Sequence, residues 1–214
     1  MNLFSFIDKY GEFTFDEVAF NEIDNVILSM MSYLNLEGIV SRNSFSPKLL
    51  SVAAEEFFKK NPRKEDNFRA IKNAIKILKN IKDTKRYKDL LLYNYVYEVS
   101  GDNQFGALTI ELNKNQVYVS FEGTDHLIGG WKEDFMLTYM FPVLSQKKAI
   151  NYVNINFYDY NTTSMVFCIN LSNGCNLKWD YCFNSNKNGK SIDLSTIKQY
   201  LDLCFNTCPN KEKY

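Results

Sequence analysis

An α/β core with an N-terminal helical annex is the fold class the sequence predicts. Two patterns carry that expectation. Through the first ninety residues, apolar side chains recur at three- and four-residue spacing, the period of a helix face. From Leu91 onward they alternate, the period of a strand, and strands then mix with helix-like segments. With 45% hydrophobic and 15% aromatic residues in 214, the chain can fill one core and is excluded from the disordered class.

The elements follow in order. Thr14-Phe15-Asp16-Glu17 has the capping-box spacing that opens a helix. Behind it Ala19, Ile23, Val26, Ile27, Met30, Met31 and Leu34 form an amphipathic stripe, with Gly38 just past its end. Ser46-Pro47 has the form of an N-cap followed by proline at the first helical position. Leu50, Ala53, Ala54, Phe57 and Phe58 make the apolar face behind it. Phe68, Ile71, Ile75 and Leu78 mark a third helix. Leu91, Tyr93, Tyr95 and Tyr97 alternate as a strand, and Ala107–Leu112 is a second. Asn113-Lys114-Asn115 is a turn signal, and Gln116–Phe121 is a third strand, so these three read as a meander. Short helices are expected near Gly130–Met140 and Ser145–Val153, a strand at Met165–Ile169, and an amphipathic helix on Ile192, Leu194, Ile197 and Leu201. The resulting division is a helical region at 1–88, a core at 89–177 and a divergent tail at 178–214.

Composition removes several function classes. Twenty-five basic and 25 acidic side chains balance, which argues against a dedicated nucleic-acid binder. The single histidine, His126, excludes a multi-histidine metal site. Cys168, Cys175, Cys182, Cys204 and Cys208 contain no paired C-x2-C unit, so no metal or other cofactor is expected. They also lack a nearby histidine that would make a reactive thiolate. The N-terminus has no secretory pattern, and no stretch reaches the ~18 apolar residues of a membrane span, so the expected location is the cytoplasm. Residues 151–214 hold 11 charged side chains against 39 in the first 150, a shift that marks a change of constraint.

The most informative stretch is Val119-Ser120-Phe121-Glu122-Gly123-Thr124-Asp125-His126, continued by Gly130-Trp131-Lys132-Glu133-Asp134-Phe135. By itself it is a strand leaving through a glycine–threonine turn into a helix. Thr124 stands where an amide and a hydroxyl at a strand end can stabilise an oxyanion, or serve simply as a turn residue. The segment, with Pro142, Gln146, Lys147 and Ala149, resembles a bacterial family of lipase-like α/β hydrolases. So do Phe20–Asn25, Leu28-Ser29 and Ser32–Leu34, and the likeness covers about residues 1–152. The resemblance implies a partial or truncated α/β-hydrolase core, a serine ester or lipid hydrolase ancestry, and a part for Thr124 in the oxyanion hole. Glu122 stands where the family has arginine.

An α/β-hydrolase nucleophile sits on a tight strand-to-helix turn between small residues. Asn170-Leu171-Ser172-Asn173-Gly174-Cys175-Asn176-Leu177 is the segment similar to the family's G-H-S-K-G-G-N-L, which makes Ser172 the candidate nucleophile. Ser-Asn-Gly is equally a turn signal. The one histidine, His126, precedes Ser172, whereas the fold's catalytic order places histidine after the serine. Two functions are therefore expected: a catalytically impaired hydrolase acting on a small ester or lipid, or a non-catalytic binding or interaction protein on the same scaffold.

Overall fold

The computed structural model describes residues 2–60, 68–101, 103–114, 116–123 and 128–157. All lie in the compact unit Met1–Val166; Phe167–Tyr214 is a second unit. The expected strand at Met165–Ile169 and the helix of residues 192–204 lie outside the described residues.

Helix α1 (Leu3–Tyr10) opens the chain, and the Asn2 side chain caps it by accepting from the Ser5 amide. Sequence periodicity did not single it out. The expected capping box at Thr14 forms, but it closes a turn. The Thr14 amide donates to Glu17 at 2.7 Å, and the Glu17 amide donates to the Thr14 hydroxyl at 3.3 Å. Those contacts, with the Thr14 amide foremost and Lys85 behind it, hold the Glu17 carboxyl down to about 2. Helix α2 (Glu22–Ser29) begins eight residues later, under a second box built by Asn21 and Asp24. A 3-10 turn, Met30–Tyr33, ends it.

The strand β1 (Lys48–Leu49) takes the place of the expected helix start after Pro47, because it pairs with the next strand. Helix α3 (Leu50–Lys60) follows at once and buries Leu50, Ala53, Ala54 and Phe57. Helix α4 (Arg69–Ile81) matches the third expected helix. It buries Ala74, Ile77, Leu78 and Ile81 and keeps Ile71 and Ile75 at the margin.

Three long strands complete the sheet: β2 (Leu91–Ser100), β3 (Asn103–Asn113) and β4 (Gln116–Phe121). Their order is β1-β2-β3-β4, and every pairing is antiparallel. This overturns the α/β-hydrolase class, which needs a parallel sheet. The reason is local. Ser100 pairs with Asn103, and Asn113 with Gln116, so two residues separate the strands at each turn. Parallel neighbours need a crossover of about a dozen residues or more. The meander expected from the turn signal is what forms. Among the described residues the fold is this four-stranded sheet with six helices, the last two being α5 (Ile128–Met136) and α6 (Leu144–Phe157).

The sheet is covered on both faces. Leu92, Tyr95, Leu108, Ile110 and Tyr118 join the N-terminal helices in the main core. Phe105 and Ala107 pack on the other face with Tyr152 and Phe157 of α6. Strand β3 is therefore buried from Asn103 to Ile110, inward on both sides.

Two polar devices hold this arrangement. Arg86 and Asp24, both fully buried, form a bidentate pair at 2.8 and 2.6 Å. The guanidinium also donates to the carbonyls of Phe13, Thr14, Val18 and Ala19 and lies over the Phe15 ring at 4.2 Å. The Tyr87 hydroxyl donates to Asp24 Oδ1 at 2.5 Å. One cation thus gathers the carbonyls of the irregular stretch between α1 and α2 and ties them to Asp24 in the first turn of α2. The second device is a β-bulge in β2 between Tyr93 and Val96, with Asn94 at φ 54°. Asparagine tolerates that left-handed geometry better than most side chains. The bulge turns the Tyr95 amide toward the Ser41 carbonyl at 2.9 Å, and the Tyr95 hydroxyl donates to the Leu34 carbonyl. On the opposite side, the Asn94 carbonyl accepts from Tyr152 at 2.8 Å.

Candidate functional site

The informative motif folds as the end of β4 followed by α5. At Phe121-Glu122-Gly123 the strand leaves the sheet, after a last ladder bond from the Glu122 amide to the Gly106 carbonyl. Two glycines let neighbouring side chains come close to the backbone there. A Cβ on Gly123 would stand 2.6 Å from the Tyr33 hydroxyl, and one on Gly106 would collide with the Glu122 side chain. The N-terminal helical layer thus closes directly over the strand exit. Thr124, Asp125 and His126 lie outside the described residues, and so does Ser172.

The Gly130–Phe135 part of the motif is a packing device. Glu133 is buried, and its carboxylate accepts from Asn103 Nδ2 at 2.9 Å and from the Ser145 amide at 2.6 Å. The second bond satisfies a free donor at the start of α6 and sets a negative charge at that helix's positive end. Asn103 Oδ1 in turn accepts from Lys148 at 2.7 Å, and Lys148 pairs with Glu98 at 2.8 Å. A chain of polar contacts therefore ties α5, the first residue of β3, α6 and β2 together. Sequence reading missed Asn103 and Lys148, because isolated polar residues give no periodic signal.

Beneath α6 lies a second polar group. Tyr152 gives its only proton to the Asn94 carbonyl, so the Thr109 hydroxyl donates to Tyr152 across 2.7 Å. Burial pushes the Tyr152 hydroxyl above its ordinary pKa, against the opposing pull of Thr109. Burial raises Tyr95 as well, with the charge of Glu122 adding to it. Tyr87 rises through burial first and the bond to Asp24 second.

For each of these tyrosines the folded pKa exceeds the unfolded value of about 10. Their contribution to stability is present in full below that pH and is lost as pH rises beyond it. We expect the urea midpoint to fall as pH rises above about 10, with these three hydroxyls silent at 295 nm until the fold opens. Native-state titration of all three with ordinary midpoints would refute it.

What α5 leaves outside is the more informative surface. Phe135 is 65% exposed and Tyr139 66%, with their rings edge-on at 6.3 Å. Leu137, Met140, Phe141 and Leu144 are also exposed, so six large apolar side chains emerge within ten residues. The cis Phe141–Pro142 bond lies in the turn that carries them into α6. Among the described residues no cluster of three or more histidine, cysteine, aspartate or glutamate side chains could hold a metal. No described helix is long and apolar enough to cross a membrane.

Fold and surface together define an antiparallel-sheet protein with a helical layer on each face and an exposed apolar turn. The family model described as Mbeg1-like matches residues 81–192, more than half of the chain. The chain belongs to the Mbeg1-like family. That family replaces the lipase-like α/β-hydrolase family that the Phe121–Phe135 segment resembles, and the antiparallel sheet agrees with the correction. No curated protein and no solved structure matches the chain.

Proposed function

We propose that the chain is a non-catalytic interaction protein, working in the cytoplasm, whose α5–α6 turn grips a protein partner. The observation that carries this reading is the exposed run Phe135–Leu144. Contiguous apolar surface of this kind is costly in water and marks interaction sites, and aromatic residues and methionine are enriched at the cores of protein interfaces. The Glu133 anchor supports it by holding the turn in one shape before any partner arrives, which lowers the ordering cost of binding.

The test is a photocrosslinking amino acid placed at Leu137, with a second at Val26 as control. Val26 is comparably exposed but lies on α2. A discrete protein adduct from position 137 alone, lost in Phe135→Ser/Tyr139→Ser, is the expected result. Equal adducts from both positions would remove the reading. Labelling of the full chain by a serine-reactive fluorophosphonate, abolished in Ser172→Ala, would replace it with a catalytic one.

A further inference from the structure

The charge of this neutral chain is segregated. Residues 69–88 carry eight basic side chains and one acidic one, Asp83. On α4 the basic residues Arg69, Lys72, Lys76 and Lys79 recur at three- and four-residue spacing, all exposed, with no acid on the helix. At about 100° per residue they fall on one face, opposite the buried Ala74, Ile77, Leu78 and Ile81. The stripe is roughly 15 Å long. Asn73 and Asn80 beside it are exposed and uncharged.

This arrangement works against the helix that bears it. Like charges three and four residues apart repel. Arg69 sits at the positive end of the helix, where the first turn has no acid and Phe68 supplies no side-chain cap. Among the described residues these four cations have no carboxylate partner, although Lys76 lies over the Phe4 ring at 4.2 Å. Lys82 and Lys85, by contrast, are paired with Asp83 and Glu17. Among the described residues nothing neutralises these four charges in line, and local rules are characteristically broken at functional surfaces.

We propose that the outward face of α4 docks on an acidic phospholipid bilayer. The fit is one of charge. A straight row of cations meets a planar anionic surface at every position, each within reach of a headgroup phosphate. A nucleic acid is favoured less, because α4 carries no aromatic side chain of its own on which a base could stack. The α4 face lies on the side of the sheet opposite α6, so it is a different surface from the α5–α6 turn and stands independently of it.

The experiment is co-sedimentation of the full chain with phosphatidylglycerol-containing vesicles and with pure phosphatidylcholine vesicles. Lys72→Gln/Lys76→Gln/Lys79→Gln is compared with Lys59→Gln/Lys114→Gln/Lys147→Gln, which changes net charge equally elsewhere on the exposed surface. Glutamine keeps helix propensity, and an unchanged melting temperature reports an intact fold. The wild type and the control triple should bind the acidic vesicles and release in about 0.5 M salt, while the α4 triple binds at least about tenfold more weakly. Binding to neutral vesicles at equal strength, no binding to acidic ones, or equal losses in the two triples would overturn the proposal. So would tighter, α4-dependent binding to duplex DNA at the same salt, which would assign the face to nucleic acid.

Discussion

Replacing Arg86 with methionine is expected to cost about 3–5 kcal/mol, the largest effect of any single charged residue described. The substitution leaves the Asp24 carboxylate buried without its cation and strips four carbonyls of their donor. Arg86→Lys should recover little of this. Lysine has three donors on one atom, whereas the site has six acceptor atoms spread around a planar fork. Asp24→Asn combined with Arg86→Met should be less damaging than the sum of the two, since it removes both charges. Denaturant titration measures all of these, and a loss under about 1 kcal/mol for Arg86→Met would show that water replaces the guanidinium.

Leu108→Ala is expected to cost about 2–5 kcal/mol, through lost burial and the cavity left behind. Leu108 is fully buried on β3, which has neighbours on both edges and packing on both faces. Few movements could close the gap. Val26→Ala is the matching control: Val26 is half exposed on α2, and its loss should stay near 0.5 kcal/mol or below. Similar costs for the two would mean that the core relaxes around the deletion.

How far the sequence could be read depended on whether a signal was periodic or spatial. Helix α4 was legible because its apolar and charged residues segregate so sharply, although the buried set is Ala74, Ile77, Leu78 and Ile81. The meander was legible because Asn113–Asn115 is too short to join anything but antiparallel strands. The Thr14–Glu17 box misled because its hydrogen bonds close a turn as well as they open a helix. The lipase-like resemblance misled more seriously. A linear motif carries no information about strand direction, and its Glu133 and Gly123 meet packing demands in a sheet of another kind. The buried ring of Arg86, Asp24 and Tyr87 joins residues 62 and 63 positions apart, which no local pattern could announce.

The bulge at Asn94 gives this sheet a means of proofreading its own register. Native β2 places the Asn94 carbonyl against the Tyr152 hydroxyl and the Tyr95 amide against Ser41, one contact in each helical layer. A slip of one residue would exchange the two faces of the strand and break both contacts together. Partial credit is not available to a misaligned hairpin, because the extra residue is what lets both layers be satisfied at once. A chain paired one residue out of register would therefore lose the Tyr152 and Ser41 contacts together.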